Sequence, residues 1–428
     1  MGFADTYLKK QENFTASINE EPDKGLNLIV VIPCYNEPDL VRSLDSIWNC
    51  TRPISAVEVI VVINSSVTDP KEVKDQNLFT LRQLEEWKKT HRSEAFRYYA
   101  VFRDSLPAKY AGAGLARKTG MDEAVYRYNL HDNPQGVIIS FDADATCEPN
   151  YLVEIEKTFH RFPKVNGCTI YFEHPVQGDQ FPPDVYRGIT QYELYLRYYF
   201  QGLKHAGLPF VFHTVGSCFA VRATGYVKAG GMNRKKAGED FYFLQKLFPL
   251  GNIREINTTM VVPSPRPSDR VPFGTGPFIH KFLEDPTIEY MTYNFRAFEL
   301  LRSFIFQTGR FYKTKEKDIV NILISFPDCL QEFLNNVGFV ARMDEINRNT
   351  ATYQAFEKRF FQWFNAFMVL KFMNSVHEKY FHKIPVSIAA RDLLKAINWK
   401  GEIPEKADEL LGIFRRMERG IFKLDKQK

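Results

Sequence analysis

Val137-Ile138-Ile139-Ser140-Phe141-Asp142-Ala143-Asp144-Ala145-Thr146 is an apolar run that ends in two carboxylates set two residues apart. Val137–Phe141 reads as a strand. Behind it, Pro149-Asn150 leads into a helical stripe of Leu152, Ile155 and Phe159. Two aspartates at i and i+2 of a strand end project toward the same side. Both are hard oxygen ligands suited to Mg²⁺ or Mn²⁺, which are usually held by one or two carboxylates together with substrate phosphates. The carboxyl ends of strands are also where open α/β sheets place ligands. The same residues serve elsewhere as helix caps and turn formers. An EF-hand is excluded, because counting from Asp142 puts Cys147 where glycine is needed and Val153 where the closing glutamate belongs.

The 428 residues exceed what one core usually holds, which predicts one large domain and a second unit. A formal net charge of +5 is small for this length, and no block of like charges argues for a nucleic-acid partner. Cys34, Cys50, Cys147, Cys168, Cys218 and Cys329 are scattered, without CxxC or zinc-like spacing. They read as buried thiols of a protein in a reducing compartment rather than as disulfides. The polar start of the chain is unlike a signal peptide, and no stretch reaches the ~18 apolar residues of a spanning helix. These features predict a soluble cytoplasmic protein.

Outward from Asp142, short apolar runs alternate with helical patterns. Leu28–Ile32, Val57–Ile63, Tyr98–Phe102, Cys168–Phe172 and Cys218–Val221 read as further strands. Leu40, Val41, Leu44, Ile47 and Trp48 form a helical stripe, with Pro38 suited to the first helical position. Another helix is expected to start at Glu239-Asp240 and carry Phe241, Leu244, Leu247 and Phe248. Such alternation predicts a mostly parallel sheet covered on both faces. Val261–Pro277, with five prolines and two glycines, reads as a loop, and everything after Phe278 as helices. The expected division is a lead-in at 1–26, an α/β domain at 27–277 and a helical domain at 278–428. Phe360–Phe372 reads as a core helix, although its aromatic face leaves room for peripheral membrane contact.

Strand–Asp-x-Asp-x-Thr also resembles the first motif of haloacid-dehalogenase-type phosphatases, with Asp142 as nucleophile and Asp144 as general acid. That motif normally opens its domain, whereas here three strand-like runs precede it. The upstream run Val30-Val31-Ile32-Pro33-Cys34-Tyr35-Asn36-Glu37 enters an amphipathic helix. Asp142-Ala143-Asp144 follows about 105 residues later, and Gly238-Glu239-Asp240 about 95 beyond that. This ordered set resembles the family-2 glycosyltransferases of GT-A fold, over roughly residues 27–275.

The resemblance implies a metal-dependent, inverting transfer from a nucleotide-diphospho-sugar, with a UDP-sugar favoured, to an unknown hydroxyl acceptor. Pro33, Tyr35 and Glu37 would line the nucleotide pocket, and Asn64 would reach a base edge through its amide. Asn64-Ser65-Ser66 departs from the family's usual Asp-Asp-Gly-Ser, which leaves the base open. Lys109 and Arg117, beside the glycines of Lys109-Tyr110-Ala111-Gly112-Ala113-Gly114, would meet the base or diphosphate. Asp144 would hold Mg²⁺ or Mn²⁺, with Asp142 as a second ligand or ribose contact, and Asp269 or His280 as loose candidates for a third. Asp240, or else Glu239, would be the general base. His213–Cys218 would border the acceptor, and Arg266 or Arg270 would clamp the diphosphate from a lid. A catalytically inactive sugar-nucleotide-binding protein is the non-enzyme alternative.

Overall fold

The computed structural model describes residues 2–11, 14–235, 237–268 and 274–420. By contact the chain divides into two units, one of residues up to 189, 212–284 and 418–420, the other of 190–211 and 285–417. The first unit contains α1 (Asp5–Lys9), β1 (Leu26–Cys34), α2 (Leu40–Trp48), β2 (Ala56–Ser66), α3 (Lys71–Thr90), β3 (Phe96–Leu106), α4 (Ala113–Leu130), β4 (Val137–Ser140), β5 (Thr146–Cys147) and α5 (Tyr151–Arg161). It continues with β6 (Gly167–Phe172), the first residues of α6 (Pro183–His205), β7 (Phe219–Arg222), α7 (Ala223–Lys228), α8 (Glu239–Leu247), β8 (Ile253–Val262) and α9 (Thr275–Glu284).

Eight strands join in the order β3-β2-β1-β4-β7-β6-β8-β5. The first four run parallel, and β7 is antiparallel to both β4 and β6. Residues Leu28–Ile32 and Val59–Ile63 are wholly buried, as expected of strands with helices on both faces. Their registers bring Cys34 beside Ile63 and Val31 beside Ser140. The ends of β1, β2 and β4 therefore share one edge of the sheet, and Asp142 lies two residues beyond the end of β4.

Three differences from the sequence reading have local causes. Helix α2 starts at Leu40, not Pro38, because the Asp39 N–H turns back to Glu37 Oε1 at 2.9 Å before the first helical bond forms. The run Val261-Val262 ends a strand, β8, whose alternation of exposed and buried residues hides it among polar neighbours; Val261 pairs with Phe172 and Cys147. Pro263, Pro265 and Pro267 lie in no helix or strand, and Thr275–Pro277 already belong to α9.

The second unit holds the rest of α6, β9 (Met291–Thr292), α10 (Phe295–Ile305), α11 (Glu316–Ile324), α12 (Asp328–Asn336), α13 (Phe339–Arg348), α14 (Tyr353–Trp363), α15 (Ala366–Lys379), β10 (Ile384–Pro385), α16 (Val386–Ala396) and most of α17 (Ala407–Glu418). The short antiparallel ribbon of β9 and β10 is an addition to the all-helical expectation. Phe360–Phe372 is two helices rather than one. Asn365 interrupts it and caps α15, its Oδ1 accepting from Phe367 N and Met368 N at 3.0 and 3.3 Å. Phe360, Phe364 and Phe372 are buried, so the segment is core. No described helix is long and apolar enough to cross a membrane.

Candidate active site

Helix α4 positions the centre of the site. Two thirds of its residues are buried, including Arg117, Lys118, Asp122, Glu123 and Arg127, so each of these charges needs a partner. Lys118 pairs with Asp122 at 2.7 Å, and Arg127 with Glu58 of β2. At the first turn, the chain before α8 presses close: a Cβ on Gly114 would lie 1.8 Å from the Lys235 carbonyl oxygen. That approach sets Glu239 against Arg117.

Arg117 is only 3% exposed and gathers four groups. Its Nε donates to Glu239 Oε1 at 3.2 Å, and its Nη2 to Asp142 Oδ1 at 2.9 Å. Its Nη1 donates to Ser140 Oγ at 2.5 Å and to the Gly216 carbonyl at 3.1 Å, to which Ser140 also donates. Gly216 permits this closeness, since a Cβ there would sit 2.9 Å from Arg117 Nη2 and 3.1 Å from Asp240 Oδ2. One guanidinium thus faces Asp142, Glu239 and Asp240. Burial opposes its charge, but these carboxylates outweigh burial and raise its pKa. Arg117 does not balance the whole cluster, and burial pushes the Asp240 pKa up to about 7, with Glu239 adding to the shift and Arg117 opposing it.

A second arginine stands at the other carboxylate. Arg266 grips the fully buried Glu37 with two bonds, Nη1–Oε1 at 3.0 Å and Nη2–Oε2 at 2.5 Å. The same guanidinium lies 3.5 Å from Asp144 Oδ2 and 3.6 Å from Asp39 Oδ2. Helix α2 holds the loop between Asp142 and β5, for Ser43 Oγ lies 2.8 and 2.6 Å from the carbonyls of Ala143 and Ala145.

The remaining sequence-predicted residues fall as follows. Pro33 is buried at the end of β1 and Tyr35 is half-buried. Asn36 adopts a left-handed backbone (φ 49°), and its N–H donates to Asn77 Oδ1 at 2.8 Å, which turns the chain toward Glu37. Asn64 is buried and gives its amide N–H to the Gly112 carbonyl at 3.0 Å, while its Oδ1 has no partner among the described residues. Lys109 is exposed, its Nζ 5.4 Å from the Tyr110 ring centroid. Asp142 and Asp144 keep partly exposed side chains, at 34% and 26%. His280 is exposed on α9, and Asp269 and Arg270 lie outside the described residues. Among the described residues no three histidine, cysteine or acidic side chains converge as metal ligands. The donor set nonetheless fits a hard dication completed by phosphate oxygens: two part-exposed carboxylates in surplus-negative surroundings.

Ser140, Ser43 and Asn77 escaped the sequence reading. Ser140 alone had a signal, as the polar residue closing an otherwise apolar strand directly before Phe141-Asp142.

The model of glycosyl transferase family 2 matches residues 29–228, which contain the Pro33–Glu37 loop, Arg117, Asp142 and Asp144. That match spans just under half of the chain and supports a family-2 glycosyltransferase domain there. The protein is a glycosyltransferase, and the GT-A arrangement expected from the sequence is the one observed. This sets aside the phosphatase. Solved structures similar to the chain include TarS 1–349 from S. aureus in complex with UDP-GlcNAc. It is 14% identical, with 92% of this chain and 89% of that one covered and a TM-score of 0.39. Another is the mannosyltransferase PcManGT from Pyrobaculum calidifontis in complex with GDP-Man and Mn²⁺, 12% identical, with 99% and 93% covered and a TM-score of 0.38. No curated protein sequence matches the chain.

Proposed function

We propose that this glycosyltransferase is metal-dependent and inverting, and moves a sugar from a nucleotide-diphospho-sugar to a hydroxyl acceptor. The observation that carries the reading is the convergence of Asp142, Glu239 and Asp240 on Arg117, which ties the Asp-x-Asp pair to a protonatable carboxyl at one sheet edge. Glu239 is nearly buried and committed to Arg117, so Asp240 is the better base. A carboxyl with a pKa of about 7 is matched to proton removal near neutral pH.

In the proposed step the acceptor oxygen attacks the anomeric carbon, while its proton passes to the Asp240 carboxylate. The bond from that carbon to the diphosphate oxygen breaks, and the nucleoside diphosphate leaves. A single displacement of this kind inverts the anomeric centre. Asp144 would hold the Mg²⁺ or Mn²⁺, with Asp142 oriented beside it by Arg117, and the chemistry so supplied is charge neutralisation on the leaving diphosphate. Arg266 would release Glu37 and Asp144 when donor arrives, and its guanidinium suits a phosphate. Pro33, Tyr35, Glu37 and Asn64 would border the nucleotide, and Lys109 would lie near the diphosphate. A cytoplasmic setting belongs to this reading, supported by six cysteines that are all free thiols.

The test is a thermal-shift series with UDP-, GDP- and other nucleotide sugars, with and without Mn²⁺. Stabilisation by one donor class that needs Mn²⁺ and is lost in Asp144→Ala is the expected result. Absence of any response would sink the reading.

A further inference from the structure

We propose that Cys50 and Cys147 are an oxidisable thiol pair that closes to an intramolecular disulfide, and that this bond pulls on the loop carrying Asp142 and Asp144. Their sulfurs lie 3.6 Å apart although 97 residues separate them in the chain. The pair sits in a prepared setting on helix α2. Ser46 Oγ accepts from Cys147 N at 2.7 Å and lies 3.4 Å from Cys147 Sγ, while Cys50 Sγ faces the Ser46 carbonyl at 3.4 Å. With Ser43 on the Ala143 and Ala145 carbonyls, one side of α2 and Cys50, two residues beyond its end, hold the segment from Ala143 to Cys147. The other four cysteines are buried, and Cys147 alone of the six is part-exposed. The hydrogen bond from Cys147 lowers the Cys50 pKa against the opposing effect of burial, with Arg52 contributing in the same direction as the bond.

The oxidant is a small-molecule disulfide such as glutathione disulfide. The part-exposed Cys147, once deprotonated, attacks one of its sulfurs, forming a mixed disulfide and expelling one glutathione thiolate. Cys50, buried behind it, then gives up its proton and attacks the Cys147 sulfur, expelling the second. The protein loses two electrons and two protons, and the oxidant becomes two thiols. Closure from 3.6 Å to a bond of about 2.0 Å draws Cys147, three residues beyond Asp144, toward α2.

The disulfide does not depend on the proposed function, whereas its effect on ligand binding does. Full-length protein would be equilibrated at graded ratios of reduced to oxidised glutathione, blocked with N-ethylmaleimide and digested for mass spectrometry. The expected result is a Cys50–Cys147 cross-linked peptide lighter by two hydrogens, absent from Cys50→Ser and from Cys147→Ser. Labelling of both thiols at every ratio, or glutathione adducts that never resolve into the cross-link, would overturn the pair. For the coupling, Mn²⁺-dependent binding of UDP or GDP is compared before and after oxidation. A weakening of at least about threefold in wild type but not in Cys50→Ser supports it, equal affinities overturn it. If the reduced protein binds neither nucleotide, the proposed donor site fails while the cross-link result still stands.

Discussion

Arg266 Nη2 lies 2.5 Å from Glu37 Oε2 and 3.5 Å from Asp144 Oδ2, so one guanidinium spans two acidic residues 107 apart in sequence. Glu37 is wholly buried, and apart from Arg266 its carboxylate receives the N–H of Asp39. A cation at this position screens Asp144 and satisfies Glu37 together.

Arg266→Met is therefore expected to act in two directions. Leaving Glu37 without its bidentate partner should lower stability by about 2–3 kcal/mol, the cost of stranding a buried charged acceptor. Removing a positive charge 3.5 Å from Asp144 should strengthen Mn²⁺ binding several-fold without nucleotide. Denaturant titration and Mn²⁺ calorimetry read the two effects separately. Weaker Mn²⁺ binding would show that Arg266 does not compete for the site.

Arg117→Met should be among the most damaging single changes. It removes the cation shared by Asp142 and Glu239 inside the protein, and breaking a buried pair this way costs about 3–5 kcal/mol. Urea unfolding measures it. A loss below about 1 kcal/mol would mean that the carboxylates find other partners.

Asp240 should govern the pH dependence of both rate and stability. In the unfolded chain it loses its proton near 4, but folded it keeps it up to about 7. The stability tied to that proton is full below about pH 4 and is lost as pH rises through 7. Asp240→Asn mimics the protonated form. It should melt above wild type at pH 8, with the gap narrowing toward pH 5. Its transfer rate should drop by roughly 10²-fold or more, because the proton acceptor is gone. In wild type the rate should climb with pH through about 7. A flat profile from pH 5.5 to 8.5 would remove Asp240 from the base role.

Gly216→Ala probes the same cluster sterically. The added methyl meets Arg117 Nη2 at 2.9 Å and Asp240 Oδ2 at 3.1 Å, so one of them must shift. Activity is expected to fall more than tenfold with a stability loss of about 1–3 kcal/mol. Unchanged kinetics would show that the Arg117–Asp240 geometry tolerates displacement.

Much of the sheet was legible because its signals are local. A strand buried on both faces is apolar nearly throughout, which is why Val30–Ile32, Val57–Ile63 (with Glu58 held by Arg127) and Val137–Ile139 stood out. The half-exposed β8 did not, since its alternation is diluted by Asn257, Thr258 and Thr259. The pair Asp142/Asp144 was readable from its residue types after an apolar run, but β4 ends at Ser140, so the two lie in the loop beyond it and meet different arginines, Arg117 for Asp142 and Arg266 for Asp144.

Sequence by itself determined the strands buried on both faces, the Asp-x-Asp pair, the acidic start of α8 and the order that marks the family. Tertiary structure alone decided who partners whom. Arg117 looked like a residue for the donor's phosphates, yet it is buried among Asp142, Ser140, Gly216 and Glu239, the last of them 122 residues away. Arg266 closes on Glu37 across 229 residues, and two cysteines that looked unrelated have sulfurs in contact. Periodicity encodes which face of an element is buried. It carries nothing about which distant element will cover that face, and a buried charge takes its partner from whatever the sheet order brings beside it.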